Sequence, residues 1–453
     1  MAVTATDGFI VRKRSTTITT LLPPLSVVPN ATCAGCGCVC DDIELQHDGR
    51  SIYVAKNACE RGEAWFREQT VERQSSEVLL DAAVEAAAEI LHAADLPLVF
   101  GLGDSTCEAQ REAIALAEQL GGTIDTETSL SHGSMEMAAQ LGGKITCTLG
   151  EVKNRADFVL YWGANPAETH PRHFERYTLT TTGKYTPSGR ADRTLVVVDV
   201  RETASTAEAD VFLRIRPGQD FEALSILRAV VQGSRFDEAK LAATGLTLDQ
   251  LRDLSRRMKK ARYGIVFVGM GLFQTRGTFM NCAAVTALVI ELNSWTRFIS
   301  MPMRSPGNVS GADAVLSYTT GYPFAVNFSR GYPRYNPGEF SAAGLLARGE
   351  VDAALIVGTD AAARLPQAAR DHLSRIPTIT LDAKPPTFTP RVHITTAAVA
   401  AGTVYRMDKV PLTLRPPITS AAPSDETVLR LIRDALAKKS AWYPTAAAVM
   451  PAK

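Results

Sequence analysis

The stretch ADFVLYWGANPAE, residues 156–168, has five consecutive apolar residues, followed by a glycine and the turn-forming pair Asn165-Pro166. A short apolar run closed by a glycine turn is typical of a strand buried on both faces of a parallel sheet. The pattern recurs in LPLVFGLGDST (96–106), YGIVFVGMGLF (263–273) and VDAALIVGTDAA (351–362), with helical periodicity between the runs. Alternating strands and helices predict α/β domains of the doubly wound type.

Two long segments follow the same order, which indicates an internal repeat. Residues 156–216 and 351–401 each contain a strand, a glycine turn, a second strand ending in aspartate, a Thr-rich loop and a third apolar run. The two aspartates are Asp199 and Asp382. Paired nucleotide-fold halves commonly hold a dinucleotide-like ligand at their strand ends, where Asp199 would bind hydroxyl or amine groups. The alternative is that any two α/β units show this degree of likeness.

Length, charge and hydropathy indicate a globular protein without a membrane span. At 453 residues the chain exceeds the size of a single core, so several domains are expected. Lys plus Arg and Asp plus Glu number 48 each, and this balance argues against general electrostatic binding to nucleic acid or to an anionic membrane. The sequence has no apolar run of the ~18 residues that cross a bilayer. Its basic, Thr-rich start lacks a signal-peptide pattern, so we expect a cytoplasmic protein.

Five of the eight cysteines lie before residue 60, in CAGCGCVCDD (33–42) and NACERG (57–62). Cys33, Cys36 and Cys40 have the spacing C-x₂-C-x₃-C, and Cys59 follows 19 residues later. Four such thiolates can bind a 4Fe–4S cluster or a tetrahedral zinc ion, and the spacing favours the cluster. Cys38 could replace Cys36 or Cys40, and free thiols are the alternative to a metal site. Three isolated cysteines are expected to be small buried hydrophobic residues: Cys107, Cys147 and Cys282.

Two glycine pairs follow predicted strands and resemble phosphate-binding turns. They are Gly101 with Gly103 in FGLGDS, and Gly269 with Gly271 in VGMGLF. Short glycine pairs are weak signals, because turns that pack against helices contain them as well. The pairs therefore leave two interpretations open, a ligand contact and a packing requirement.

The patterns divide the chain into five parts. Residues 1–30 are predicted to be a disordered leader, and 31–75 a small cysteine-rich domain of the 4Fe–4S type. A first α/β region is expected over 76–255, and a second α/β region over 256–410. Residues 411–453 are rich in Pro and Ala and are predicted to form a tail with one helix.

Several unusual motifs resemble one known family. They are CAGCGCVCDDIEL at the start, SLSHGS (129–134), WGANPAETHPRH (162–173), MPMR (301–304) and TGYPFAVNFSRGYPRYNPGE (320–339). Together they resemble the B-type subunit of formylmethanofuran dehydrogenase, a relative of the molybdopterin-dependent formate dehydrogenases. The likeness covers roughly residues 30–415, and the last motif is too long and too unusual in composition to be a chance match.

The resemblance implies a fold, cofactors and partners. It implies an N-terminal domain with a 4Fe–4S cluster, followed by interleaved, doubly wound α/β domains that hold a molybdo- or tungstopterin. The C-terminal barrel of longer relatives is not expected here, because in this family it resembles a separate subunit. The chain is therefore expected to work in a complex with barrel-type, amidohydrolase-like and formyltransferase-like subunits.

The resemblance also implies site residues. His132 in SLSHG and Arg304 in MPMR match the catalytic His and Arg of the family, and Ser131 stands at the position of the metal-ligating Cys. An imidazole can move a proton, and a guanidinium can pair with formate. Asn165, Pro166 and His170 match a pterin-binding loop, although Asn-Pro and His-Pro pairs also favour simple turns.

Ser131 is the main departure from the family pattern. A thiolate is a soft anionic ligand at neutral pH, whereas a Ser hydroxyl binds molybdenum or tungsten less readily. Ser305-Pro306-Gly307 also differs from the Gly-His-Tyr-like segment of active members. These changes predict a subunit with lost or altered redox chemistry, as in the bacterial formyltransferase/hydrolase branch of the family. An active dehydrogenase subunit and a purely structural scaffold are the alternatives.

Overall fold

The computed structural model describes residues 25–69, 77–275, 277–304 and 307–441. The predictions for residues 1–24, Ser305 and Pro306 lie outside these residues. The strands are β1 (Ser26–Cys33), β2 (Cys40–His47), β3 (Ile52–Lys56), β4 (Pro97–Gly101), β5 (Thr123–Thr126), β6 (Phe158–Trp162), β7 (Thr194–Asp199), β8 (Val211–Arg214), β9 (Tyr263–Val268), β10 (Arg297–Pro302), β11 (Val326–Asn327), β12 (Arg334–Tyr335), β13 (Ala353–Val357), β14 (Thr378–Asp382), β15 (Val392–Thr395), β16 (Gly402–Tyr405) and β17 (Pro411–Leu414).

The helices are numbered separately, also in chain order. They are α1 (Glu60–Arg67), α2 (Glu77–His92), α3 (Cys107–Leu120), α4 (Gly133–Gly142), α5 (Leu149–Arg155), α6 (Pro166–Thr169), α7 (Asp220–Gln232), α8 (Glu238–Thr244), α9 (Leu248–Lys260), α10 (Thr278–Leu292), α11 (Val309–Thr320), α12 (Pro337–Phe340), α13 (Ala342–Arg348), α14 (Asp360–Ala363), α15 (Gln367–Leu373) and α16 (Asp425–Ala441). Short 3₁₀ turns cover Glu127–Leu130, Gly189–Asp192, Thr206–Glu208 and Met270–Phe273, and a π turn covers Phe174–Thr178.

A small antiparallel sheet, β1-β2-β3, carries the N-terminal cysteines. Cys33 at the end of β1 pairs with Cys40 at the start of β2, so the ladder brings both residues to one end of the sheet. A turn at Asp48-Gly49 joins β2 to β3, and the Asp48 carboxylate accepts two backbone N–H groups at 2.8 Å. The leader prediction is wrong for residues 26–30, because their ladder with β2 makes them part of β1.

The first large sheet has the order β10-β9-β6-β7-β8, and all its neighbours are parallel. The apolar run FVLYW of residues 158–162 forms its central strand, β6. Phe158, Leu160 and Trp162 enter the core on one face of this strand, and Val159 and Tyr161 enter the core on the other face. Because both faces are covered, the strand is continuously apolar rather than alternating.

The second large sheet has the order β12-β11-β5-β4-β13-β14-β15. Its strands from β5 to β15 are parallel, and β11 is antiparallel to both of its neighbours. A two-stranded antiparallel ladder of β16 and β17 completes the strands. The predicted α/β class with parallel sheets is confirmed, and within the described ranges the strands form open sheets and no closed barrel.

The two segments predicted to be a repeat fold alike. β6-β7-β8 and β13-β14-β15 are each three neighbouring parallel strands in chain order. The predicted division at residue 255 does not coincide with a sheet boundary. β9 and β10 return to the first sheet beside β6, whereas β4 and β5 belong to the second sheet. The two α/β regions therefore interleave along the chain.

The predicted helix of the C-terminal tail is α16, which packs against α2 and α3. Its residues Val428, Leu429 and Ile432 are buried in the same core cluster as Val99 of β4. The helix is therefore part of the second region rather than a loose extension. Within the described part of the chain, no helix has both the length and the apolar character needed to cross a membrane.

Asp125 of β5 joins three segments inside the second region. It is completely buried, and its carboxylate accepts backbone N–H groups of Thr126 (2.9 Å), Ala325 (2.9 Å) and Ala342 (2.7 Å). A buried N–H without an acceptor costs free energy, so such groups need a partner. This single carboxylate therefore accepts hydrogen bonds from β5, from the segment before β11 and from the start of α13.

Replacing Asp125 by Ala is expected to lower the free energy of unfolding by at least about 3 kcal/mol, because three buried N–H groups lose their acceptor. Urea denaturation of the full chain measures the change. The control is Asp249→Ala on α9, whose side chain is 92% exposed and faces Arg252 at 3.5 Å. That exposed pair should contribute less than about 1 kcal/mol. Equal midpoints for the two variants would contradict the role assigned to Asp125.

Candidate functional site

The loops that follow β6 and β9 pack against each other at the carboxyl edge of the first sheet. The N–H of Gly271 donates to the Gly163 carbonyl (2.9 Å), and the N–H of Gly269 donates to the Trp162 carbonyl (3.0 Å). A Cβ on Gly269 would lie 2.2 Å from the Gly163 oxygen, and one on Gly271 would lie 2.8 Å from the Gly163 Cα. Both glycines are therefore needed for loop packing, and their contact with a phosphate stays a prediction.

The other glycine pair lies at the carboxyl end of β4. Gly101 has a φ of 110°, and a Cβ there would lie 2.2 Å from the carbonyl oxygen of Val357 in β13. A Cβ on Gly103 would overlap the carboxylate of Glu127 and lie 3.0 Å from Val309 Cγ2. Close packing explains this pair as well, so a phosphate contact is again a prediction.

Asn165 lies in the loop that follows β6, and Asp199 is the last residue of β7. Oδ1 of Asn165 accepts the N–H (3.2 Å) and the hydroxyl (2.7 Å) of Ser205, which joins the two loops. Pro166 is the first residue of α6. Oδ1 of Asp199 accepts the N–H of Val200 at 2.7 Å, and the residue is half-buried. The structure assigns turn-forming roles to these side chains, and their binding of a pterin stays a prediction.

Arg304 is buried between two carboxylates. Its Nη1 donates to Asp313 of α11, its Nη2 donates to Glu136 of α4, and Thr128 Oγ1 lies 3.3 Å from Nη1. Nζ of Lys144 also lies 2.9 Å from Glu136. Although burial opposes ionisation, the charges of Arg304 and Lys144 hold the pKa of Glu136 well below its usual value. We call these four charged residues the buried arginine cluster, and their charges balance.

Ser131 and His132 lie beside this cluster. In the sequence they stand between Thr128 and Glu136, which both contact the Arg304 guanidinium. The Ser131 hydroxyl donates to the Glu127 carbonyl at 3.0 Å. His132 is buried and packs edge-on against Phe273, with ring centroids 4.7 Å apart. Burial and the charge of Arg304 lower the pKa of His132 to about 3, so its ring is neutral near pH 7. Among the described residues its Nε2 has no hydrogen-bond partner. The three predicted catalytic residues are thus neighbours.

The four cysteines predicted to bind metal line one small cavity. Cys33, Cys36, Cys40 and Cys59 all contribute to its wall, and Cys38 does not. A Cβ on Gly62 of α1 would lie 3.3 Å from Cys33 Sγ and 3.8 Å from Cys59 Sγ, so the helix starts directly against two of the sulfurs. Within the described ranges, no three His, Cys, Asp or Glu side chains converge on a single ion. Four thiols in the wall of one cavity are the donor set that a 4Fe–4S cluster needs, in which each Cys binds a different iron.

The surroundings of the cysteines decide their ionisation. A hydrogen bond from Cys38 lowers the pKa of the Cys36 thiol to about 7. Burial raises the pKa of Cys40 to about 12, although the charges of Arg176 and Arg172 oppose this shift. Burial also raises the pKa of Cys33. Ionisation of Cys33 and Cys40 near neutral pH would therefore need a bound cationic group, because metal binding and thiol deprotonation are coupled.

The backbone of Arg304 joins the cysteine loop to the first-sheet loops. Its carbonyl accepts a hydrogen bond from His170 Nε2 at 2.8 Å. A Cβ on Gly37, in the cysteine loop, would lie 2.1 Å from the same oxygen. Burial lowers the pKa of His170 to about 4, so it donates as a neutral ring. The predicted pterin-loop His thus fixes the segment that carries Arg304.

A cavity of about 600 Å³ opens at the carboxyl edge of the second sheet. Such edges of parallel sheets are where ligands bind in α/β folds. Charged side chains of both signs line it: Asp104, Asp360, Asp382, Asp425, Arg61, Glu68 and Lys384. The Asp104 side chain is exposed in the cavity wall, where its depth in the protein and the charges of Asp360 and Asp382 raise its pKa. Carboxylates suit amino and hydroxyl groups of a nucleotide-like ligand, and the cations suit its phosphates.

The cavity and the cysteine site share a wall. Gly35 and Arg61 line both of them. Of the cavity's acids, only Asp382 was identified from the sequence, as the counterpart of Asp199. Asp104 and Asp360 follow the glycine turns of β4 and β13, so an acid directly after each turn was the signal available in the sequence.

Comparisons with known proteins agree with this geometry. The family model described as molybdopterin oxidoreductase matches residues 81–369. The B-type subunit of tungsten-containing formylmethanofuran dehydrogenase 2 from Methanocaldococcus jannaschii is 40% identical over 412 residues, 86% of this chain and 94% of that protein. The B-type subunit of the formyltransferase/hydrolase complex Fhc from Methylorubrum extorquens is 30% identical over 279 residues, 61% of this chain and 71% of that protein.

A solved structure is similar as well. A chain of the formyltransferase/hydrolase complex FhcABCD from Methylorubrum extorquens, solved with methylofuran, superposes with a TM-score of 0.67 and 26% identity, covering 82% of this chain and 99% of that one. The chain therefore belongs to the molybdopterin oxidoreductase family. Within that family it groups with the B-type subunits of formylmethanofuran dehydrogenase and of the bacterial Fhc complex.

The loop contact at Gly269 gives a direct test of this edge of the first sheet. Gly269→Ala is expected to destabilise the chain by about 1–3 kcal/mol, because the new Cβ overlaps backbone atoms that cannot rotate away. Thermal unfolding followed by circular dichroism measures the effect. Gly150→Ala on α5 is the control, since its Cβ would meet only Thr148 Oγ1 at 3.7 Å. A Gly269→Ala chain as stable as the control would refute the packing requirement.

Proposed function

We propose that this chain is the B-type subunit of a formyl-processing complex of one-carbon metabolism, with the redox chemistry of its family lost or altered. Its relatives are subunits of formylmethanofuran dehydrogenase and of a formyltransferase/hydrolase complex. The related complex was solved with methylofuran, which supports a methanofuran-type carrier as the formyl-bearing substrate. The chain would then be an enzyme subunit, and its own share in catalysis is the point to be tested.

The observation that carries the proposal is Ser131 at the family's metal-ligand position. Its hydroxyl is engaged with the Glu127 carbonyl, and a neutral hydroxyl is a poor ligand for a soft metal compared with a thiolate. Arg304 adds support. Both terminal nitrogens of its guanidinium are taken by buried carboxylates, so formate would have to compete with Asp313 and Glu136 for the same donors.

The cysteine cavity supports retention of a 4Fe–4S cluster. Cys33, Cys36, Cys40 and Cys59 would hold it, and when bound it would supply one-electron transfer. This chain's own residues contribute the rest: Gly62 lets α1 approach two sulfurs, and Arg172 and Arg176 place positive charge beside Cys40. A retained cluster without a redox partner would act as a structural element of the N-terminal domain.

The cavity at the second sheet is the proposed place for part of a molybdo- or tungstopterin. Asp104, Asp382, Arg61 and Lys384 would hold its polar groups, and Asn165, His170 and Asp199 remain candidates at the other sheet. When bound, the metal of this cofactor would supply redox chemistry between formate and carbon dioxide. The partners proposed for the chain are amidohydrolase-like, formyltransferase-like and barrel-type subunits, in the cytoplasm.

A second function is favoured by one finding. The 40% identity to a tungsten-containing dehydrogenase subunit covers more of the chain than the likeness to the bacterial Fhc protein does. On that basis the alternative is an active dehydrogenase subunit in which Ser131 completes the metal sphere. A scaffold that retains neither cofactor is the third candidate. The position of four cysteines around one cavity argues against it.

Metal analysis of the anaerobically purified complex separates these functions. We expect about four Fe per chain, no stoichiometric Mo or W, and no reduction of a viologen dye with formate. The reason is that Ser131 does not supply the thiolate that holds the metal. Mo or W together with formate-dependent dye reduction would establish the active dehydrogenase instead, and absence of all three metals would establish the scaffold.

The cysteine set can be tested separately from the pterin. Cys33→Ser combined with Cys59→Ser is expected to abolish bound iron and its visible absorption, because two of four ligands are lost. Cys38→Ala should retain both, because Cys38 is buried outside the cavity wall. Iron content and the absorption spectrum are the measurements. Loss of iron in Cys38→Ala with retention in the double variant would show that the ligand set is different.

A further inference from the structure

The wall of the cysteine cavity contains two cations among its described residues, Arg61 and Arg172. Arg61 is exposed to solvent, whereas the side chain of Arg172 is only 13% exposed. Water and salt screen an exposed charge strongly and a buried charge much less. Arg172 is therefore the cation whose charge acts most strongly on a group held by the four cysteines.

Two buried histidines fix the backbone on either side of Arg172. His170 donates from Nε2 to the Arg304 carbonyl at 2.8 Å. His173 is fully buried, and its Nδ1 lies 2.9 Å from the hydroxyl of Tyr161 in β6. The N–H of His173 also donates to the His170 carbonyl at 2.8 Å, which closes a turn around Arg172. The segment that carries Arg172 is thus held by the core of the first region, and its side chain extends to the cysteine domain.

Two carboxylates hold the guanidinium of Arg172. Nη1 and Nη2 donate to the two oxygens of Asp42 at 2.7 and 2.8 Å, and Nε donates to Glu175 at 2.5 Å. The two acids are 41% and 55% exposed, so water screens their charges more than it screens the charge of the guanidinium. Three of the five N–H donors of an arginine are used in this way, which leaves two for other acceptors. The pairing fixes the guanidinium in the cavity wall without cancelling its positive charge there.

We propose that Arg172 supplies the buried counter-charge of an iron–sulfur cluster at this site and raises the reduction potential of that cluster. The inference rests on the part of the proposed function in which the four cysteines retain a 4Fe–4S cluster. Reduction adds one electron, and hence one negative charge, to a site that already holds four thiolates. Net charge and hydrogen bonds to the sulfurs set the potential of such clusters. The guanidinium of Arg172 supplies a positive charge and the two remaining N–H donors.

The same guanidinium joins the cysteine domain to the first region, because Asp42 belongs to β2 and Arg172 follows α6. The two roles of Arg172 are separable by measurement. A loss of docking alone would lower the iron content of the chain. A loss of the counter-charge would change the reduction potential at constant iron content.

The test is a potentiometric titration of the anaerobically purified complex with dithionite as the reductant. Electron paramagnetic resonance follows the reduction, and iron content is measured on the same samples. Arg172→Gln is expected to retain its iron and to lower the midpoint potential. The equilibrium constant for reduction should fall roughly tenfold, which corresponds to about 59 mV for one electron. Arg172→Lys retains the positive charge and should restore most of that shift.

Asp42→Asn is expected to shift the potential in the opposite direction. Asp42 pairs with both Arg172 and Arg176, so neutralising it leaves more positive charge beside the cysteines. A loosened domain would not produce opposite shifts in the two variants. The control is Arg190→Gln, which removes a bidentate pair with Asp210 (2.7 and 3.1 Å) outside the cavity wall. Its potential should equal that of wild type.

An Arg172→Gln complex with full iron content and the wild-type potential would overturn the inference. Should this variant hold no iron, Asp42→Asn decides: a higher potential supports the counter-charge, and an unchanged or lower potential overturns it. Absence of iron from wild type would overturn the inference together with retention of the cluster. Transfer and hydrolysis of the formyl group, measured on the same complex, test the rest of the proposed function separately.

Discussion

The burial of Arg304 is the constraint on which the site depends. Its guanidinium must be paired inside the protein, and the pairing partners come from α4 and α11, while its carbonyl meets His170 and the cysteine loop at Gly37. One residue therefore connects the N-terminal domain with loops of both α/β regions. Removing one partner of a buried ion pair costs about 3–5 kcal/mol, because the remaining charge is left uncompensated. Such a cost keeps these elements in one arrangement, whatever the chain binds.

Around this residue, the carboxyl edges of the two sheets supply different surfaces. At the first sheet the loops close on each other with backbone contacts at Gly163 and Gly269, leaving little room between them. At the second sheet the loops diverge and leave a charged cavity that shares Gly35 and Arg61 with the cysteine site. The two sheets thus differ at their carboxyl edges, the first being closely packed and the second open. The charged cavity accordingly lies where the cysteine domain meets the second sheet.

The sequence predicts those features that depend on local pattern. FVLYW indicates a strand covered on both faces, and the spacing favours Cys33, Cys36, Cys40 and Cys59, which line one cavity. The sequence left Cys38 open as an alternative ligand, and the structure places it outside the cavity wall. Family likeness brings Ser131, His132 and Arg304 together, which periodicity alone could not. The cavity could not be predicted from the sequence, because Asp104, Lys384 and Arg61 are far apart along the chain and are brought together only by the fold. Glycine pairs were ambiguous for a physical reason: close backbone packing and ligand approach both require the absence of a side chain.

The interleaved strand order has a consequence for how the protein is made. Val99 of β4 pairs with Leu355 of β13, so at ~5–20 residues per second the ribosome needs roughly 13–50 s to deliver the partner strand. During that interval β4 has an unpaired edge in an incomplete sheet. The wall of the large cavity includes Ala34 and Asp425, so it is complete only after Asp425 has been synthesised and packed. A ligand that contacts both sides of this wall therefore depends on the association of residues nearly 400 positions apart.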